Sequence, residues 1–182
     1  MGWRNTLHRY GGLSIGLHWL MLALLVAVYA CINLRELYPK GSELREALKT
    51  WHYMLGLAVL ALVVLRALVN WSVPAPVIEP PPPAWQHRAA RLTHAALYLL
   101  MIALPLLGWL SLSAAGQPVP FFGLTLPALV APDKALASQV KEIHEAVATA
   151  GYFVIGLHAA AALFHHYVRR DDTLRRMLPG QG

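Results

Sequence analysis

Charge is what this chain has least of. Asp, Glu, Lys and Arg make up 13% of its 182 residues, where soluble domains usually carry about 25%. A solvated globular domain is thereby excluded. Cysteine is nearly absent too. Cys31 stands alone, which rules out an intrachain disulfide, covalent c-type haem attachment through C-x-x-C-H, and thiolate ligation of an iron–sulfur cluster. Acidic residues are missing from the middle of the hydrophobic runs, where an ion-coupled transporter would place them. No period of repeat-protein type is present. The net charge is +6, but the Lys and Arg residues lie in short segments between apolar runs. No folded basic face is offered to nucleic acid.

Apolar residues fill the space that charge vacates. They make up 57% of the chain and are gathered into four runs, about 13–34, 47–69, 92–114 (which contains Pro105) and 143–168. A bilayer span needs roughly 20 such residues. The expected fold is therefore an all-α membrane protein, a single bundle of four transmembrane helices over residues 1–182. The first run is longer than a signal-peptide core and carries a histidine, so it reads as a retained span. Orientation follows from the basic residues. With the N-terminus inside, the inner segments hold nine Lys or Arg and the outer segments six, which favours both termini in the cytoplasm. Residues 74–83 read as an extended proline-rich linker on that side. Residues 116–132 are apolar but too interrupted by proline and glycine to span, and are expected at the outer interface.

Four histidines sit inside these runs: His18, His52, His144 and His158. An ionisable group in a span is costly and marks a functional site by default. His144 and His158 are fourteen residues apart, almost four helical turns, so they share a face and lie about 21 Å apart along the axis. Small residues, including Ala148 and Gly151, line that face between them. Gly56 follows His52 by one turn, and Ser14 precedes His18 by one turn. A flat macrocycle held edge-on to a helix needs such room. For Gly12 and Gly16 alone, close helix packing is the better reading. Depth pairs the ligands as His18 with His158 near the inner side and His52 with His144 near the outer side. Each pair gives one iron two axial imidazoles, a saturated site suited to electron transfer. His94, near the inner end of the third run, is an alternative partner for His158. His165 and His166 belong to the inner interface, and His8 and His87 to the surface. Tetrahedral zinc is disfavoured, since its four ligands must converge on one point. Arg66 lies near the inner end of the second run, free to snorkel or meet a carboxylate.

The ordered set of histidines with their flanks resembles the bacterial cytochrome b561 family. The stretches that carry the resemblance are Ser14 to Leu20, Trp51-His52 through Arg66, and His144-Glu145 followed by Gly151 to Ala162, with His165-His166-Tyr167 and Asp172-Thr173-Leu174 after them. The resemblance implies two non-covalent b-type haems on His18, His52, His144 and His158. It also implies a multi-pass protein of the bacterial inner membrane. Superoxide-oxidising members of the family take an electron from superoxide at the periplasmic side, release dioxygen and reduce ubiquinone. Here the outer segments carry Arg35, Lys40, Arg45, Lys49, Lys134 and Lys141, a basic crowd that would steer a small anion. Six carboxylates lie among them. Arg35 and Lys141 are the expected steering residues. For the quinone, the candidates are Trp71, His165 and the outer aromatic segment. The other reading is an electron-transfer subunit that relays electrons between a partner dehydrogenase or hydrogenase and the quinone pool. A redox partner protein or a second copy of the chain is compatible with either reading.

Overall fold

The computed structural model describes residues 2–3, 5–6, 9–72 and 76–180. Four long helices dominate it: α1 (Gly12–Leu34), α2 (Glu43–Ser72), α3 (Ala84–Ala114) and α4 (Lys134–Phe164). Each is long and apolar enough to cross a membrane. Large hydrophobic side chains such as Val26, Leu68, Leu99, Phe153 and Leu157 are exposed along them. Water would not tolerate that much apolar surface, and lipid requires it.

The helices overrun the apolar runs because their first turns are polar and capped. Asp133 Oδ1 accepts the Ala135 and Leu136 amides at 2.9 and 3.1 Å, an N-cap that starts α4 nine residues before the apolar run. Glu43 and Glu46 occupy the first turn of α2, where negative charge suits the helix dipole. The Asn5 side chain accepts the Gly11 amide and the Ser14 hydroxyl at 2.9 and 2.8 Å, tying down the start of α1.

The chain divides into two compact units. The terminal unit comprises residues 1–20, 64–99 and 150–182; the hairpin unit comprises residues 21–63 and 100–149. In the hairpin unit, the segment between α3 and α4 forms an antiparallel pair, β1 (Val119–Phe121) and β2 (Leu124–Leu126), with Val119 opposite Leu126. Phe122 and Gly123 turn it, both at positive φ (45° and 88°), as a two-residue hairpin of matching twist requires. Val119 packs with Leu57 and Leu112, and Tyr53, Trp109, Phe121 and Leu126 close over them.

In the terminal unit, α4 ends in a wide turn at His165–Arg169, and Arg170 adopts a left-handed conformation. The chain then folds back as a strap. The buried Arg176 donates to the carbonyls of Pro76 and Val77 at 2.8 and 3.0 Å. Trp19 Nε1 donates to the Met177 carbonyl at 2.6 Å. Residues 76–83 of the proline-rich linker have no regular structure and are held at Glu79, whose amide donates to Asp172 at 3.1 Å. His8, Pro74 and Ala75 lie outside the described residues.

Candidate functional site

Each unit holds one group of facing imidazoles. In the hairpin unit, His52 on α2 faces His144 on α4, with ring centres 6.2 Å apart and planes at 75°. His52 Nδ1 lies 3.1 Å from the Val28 carbonyl of α1. A carbonyl only accepts, so this bond keeps the hydrogen on Nδ1 and leaves Nε2 with its lone pair. The Leu104 carbonyl faces the His144 ring, but His144 Nδ1, although buried, makes no hydrogen bond of good geometry. Gly108 on α3 lies directly against that ring: a Cβ there would stand 3.6 Å from His144 Cε1.

In the terminal unit, His18 on α1 and His158 on α4 have ring centres 6.2 Å apart, with planes at 64°. His94 on α3 is nearer still to His158, at 5.4 Å. Arg66 does not meet a carboxylate. Its Nη1 donates to His18 Nδ1 at 2.9 Å, placing a guanidinium beside the imidazole group.

The spacing of both pairs fits a metal held in a flat ring, and the tautomer of His52 fits it too; at His18, Arg66 donates to Nδ1, which in a neutral ring puts the hydrogen on Nε2. Two imidazoles bound to one metal through bonds of about 2 Å, each ring centre roughly 1 Å behind its nitrogen, have centres about 6 Å apart. Both His52–His144 and His18–His158 meet that spacing. Among the described residues, no three or more His, Cys, Asp or Glu side chains converge where a bare metal ion could be held. Glycines add to the fit. A Cβ built on Gly16 or Gly56 would meet nothing within 4 Å. Gly16 therefore does not serve close helix packing; open space lies beside it and beside Gly56.

The other expected residues fall as follows. Arg35 pairs with Glu36 at 2.9 Å, and Arg45 reaches the same carboxylate at 3.0 Å. Lys141 lies 3.5 Å from Glu145. Trp71 is 90% exposed. His165 is not simply solvated: its Nδ1 bonds Asp171, which is buried. Burial acts to raise the Asp171 carboxyl, but hydrogen bonds from His165 and Thr173 outweigh it and hold the group below the usual carboxylate range. Sequence reasoning did not find the Arg66–His18 contact, the role of Gly108, or a bond from Asn70 to Tyr98. A charged or polar residue late in an apolar run was the available signal for Arg66, and a lone glycine inside the third run for Gly108.

Four lipid-facing helices that bring imidazoles together in facing pairs define a membrane protein built for electron transfer. Residues 9–180 match the family model described as prokaryotic cytochrome b561, and the chain belongs to that family. It is 40% identical over 173 residues to cytochrome b561 homolog 1 of Escherichia coli (strain K12), covering 95% of this chain and 98% of that protein. It is 40% identical over 171 residues to the probable superoxide oxidase CybB of Yersinia pestis, covering 94% and 96%. Identity to cytochrome b561 homolog 2 of Escherichia coli (strain K12) is 33% over 192 residues, covering 98% and 95%. Membership makes the chain a multi-pass electron-transfer protein of the bacterial inner membrane that binds b-type haem.

Proposed function

We propose that this protein is a di-haem superoxide:quinone oxidoreductase. The observation that carries the reading is the pairing of imidazoles at one common spacing, 6.2 Å, in each of the two units. His52 and His144 hold one haem b, and His18 and His158 the other. Haem b at these pairs would supply one-electron transfer. The Val28 carbonyl orients His52, and Gly108 leaves the His144 ring the room it occupies.

The net reaction balances. Two superoxide anions each give up one electron and become dioxygen. One ubiquinone takes the two electrons with two protons and becomes ubiquinol. Superoxide arrives on the periplasmic side, at the hairpin unit, where Arg35 and Lys141 steer it. The likeness to a relative named as a probable superoxide oxidase supports this substrate. The test is the purified chain, without any partner, in lipid with ubiquinone and a superoxide source. Superoxide-dependent quinol formation is expected. Its absence, with quinol appearing only when a dehydrogenase partner is added, would replace this reading with that of a relay subunit.

A further inference from the structure

Asn70 and Tyr98 are polar groups that the haem pairs do not use. Both lie in the terminal unit, within the helices long and apolar enough to span. Asn70 Nδ2 donates to the Tyr98 hydroxyl at 2.7 Å. Asn70 is exposed, and Tyr98 is half-buried. Polar groups facing lipid are costly unless they find a partner, and this pair satisfies only part of its own capacity. The Tyr98 oxygen accepts from Asn70, so its own hydrogen is free to be donated. Asn70 keeps a second amide hydrogen and a carbonyl oxygen.

The surroundings give the pair a direction. Tyr98 is one turn beyond His94 on α3, and Asn70 is one turn beyond Arg66 on α2. His94 in turn lies 5.4 Å from His158, and Arg66 bonds His18. The pair thus stands one helical turn from the imidazole group of its unit and opens to the membrane. Exposed Trp71 adjoins Asn70 in the same unit.

We propose that Asn70 and Tyr98 form the binding site for the quinone head. The inference rests on the quinone reading given above. The chemistry of the pair matches both redox forms of that ligand. The oxidised head presents carbonyl oxygens, which need donors; the reduced head presents hydroxyls, which need acceptors. An amide and a phenol each offer both, where an ammonium or a carboxylate offers one. Trp71 supplies apolar surface for the ring. His165 spends Nδ1 on Asp171 and keeps one ring nitrogen, whereas this pair keeps an amide hydrogen, a carbonyl oxygen and a phenol hydrogen.

The test uses haem-loaded protein in nanodiscs and a short-chain ubiquinone, with equilibrium binding and steady-state quinone reduction both measured. Tyr98→Phe and Asn70→Leu each keep the shape and remove a donor. Each should weaken ubiquinone binding and raise its KM by roughly tenfold, with haem content and haem spectrum unchanged. If the pair only staples α2 to α3, the variants will unfold at lower temperature while binding ubiquinone as the wild type does, and the site is overturned. Should the wild type itself neither bind nor reduce ubiquinone, the quinone part of the proposed function falls with it. That result is distinct from variants that bind normally beside a functional wild type.

Discussion

Among the described residues, only one nitrogen of His52 has a partner, and that division is the chemistry of the candidate site at its smallest scale. Nδ1 is spent on the Val28 carbonyl, and Nε2 keeps its lone pair, as a ligand to the proposed haem would require. Replacing His52 or His144 with Ala should remove one of two haems and leave the other, as counted by haem extraction; retention of both would break the pairing. His94→Ala should keep both, and loss of one would make His94 the partner of His158. Gly108 offers a graded test. Its built Cβ would stand 3.6 Å from the His144 ring, which is ordinary contact, so Gly108→Ala should retain haem. Gly108→Leu has no such room and should lose the haem at His144. The four histidines were legible because an imidazole in an apolar run is costly to bury unless it binds something. Their partners were not. A backbone carbonyl such as Val28 carries no residue signature, and Arg66 meets His18 across 48 positions of sequence.

Helices, turns and the strap were legible to different degrees. Long apolar runs marked α1 to α4, but their polar first turns hid the true starts, which caps such as Asp133 set. The hairpin between α3 and α4 went unread because its turn places Phe122 at positive φ, a conformation that large side chains seldom adopt. Closure over Leu57 and Leu112 offsets that local cost. The strap after α4 was invisible in the sequence, because it depends on Arg176 reaching carbonyls about a hundred positions away. Its anchor at Asp171 carries a pH dependence of definite sign. The carboxyl is held below its ordinary value of 3.8, so its contribution is complete above that pH and is lost as pH falls through the lowered value. Hydrogen-exchange protection of the Thr173 amide, which donates to Asp171 at 3.0 Å, should drop in that acid range. In Asp171→Asn the protection should be weaker at neutral pH and lack the acid step.

At the scale of the whole molecule, the distribution of charge yields two predictions, one for orientation and one for encounter. Four spans would leave both chain ends on one side of the membrane, and the excess of basic residues there predicts that this side faces the cytoplasm. A C-terminal green fluorescent fusion should fluoresce, and an alkaline phosphatase fusion at the same place should be inactive; the reverse pair of results would invert the protein. On the opposite side, six basic and six acidic residues offset one another. Net charge there offers superoxide no attraction, and the steering proposed for Arg35 and Lys141 would have to act through their ion pairs with Glu36 and Glu145. Neutralising both should slow the superoxide reaction severalfold at low salt and flatten its dependence on ionic strength. An unchanged rate at every salt concentration would rule steering out.

The sharing of α4 has one more consequence. Because His144 and His158 belong to the same helix, the peptide between them acts as a ruler. Deleting one residue there would swing one imidazole about 100° around the axis relative to the other. Inserting seven would nearly restore the bearing but lengthen the gap by about 10 Å. Loops elsewhere tolerate insertions, whereas in this stretch a change in residue number alone would turn the two imidazoles to different bearings.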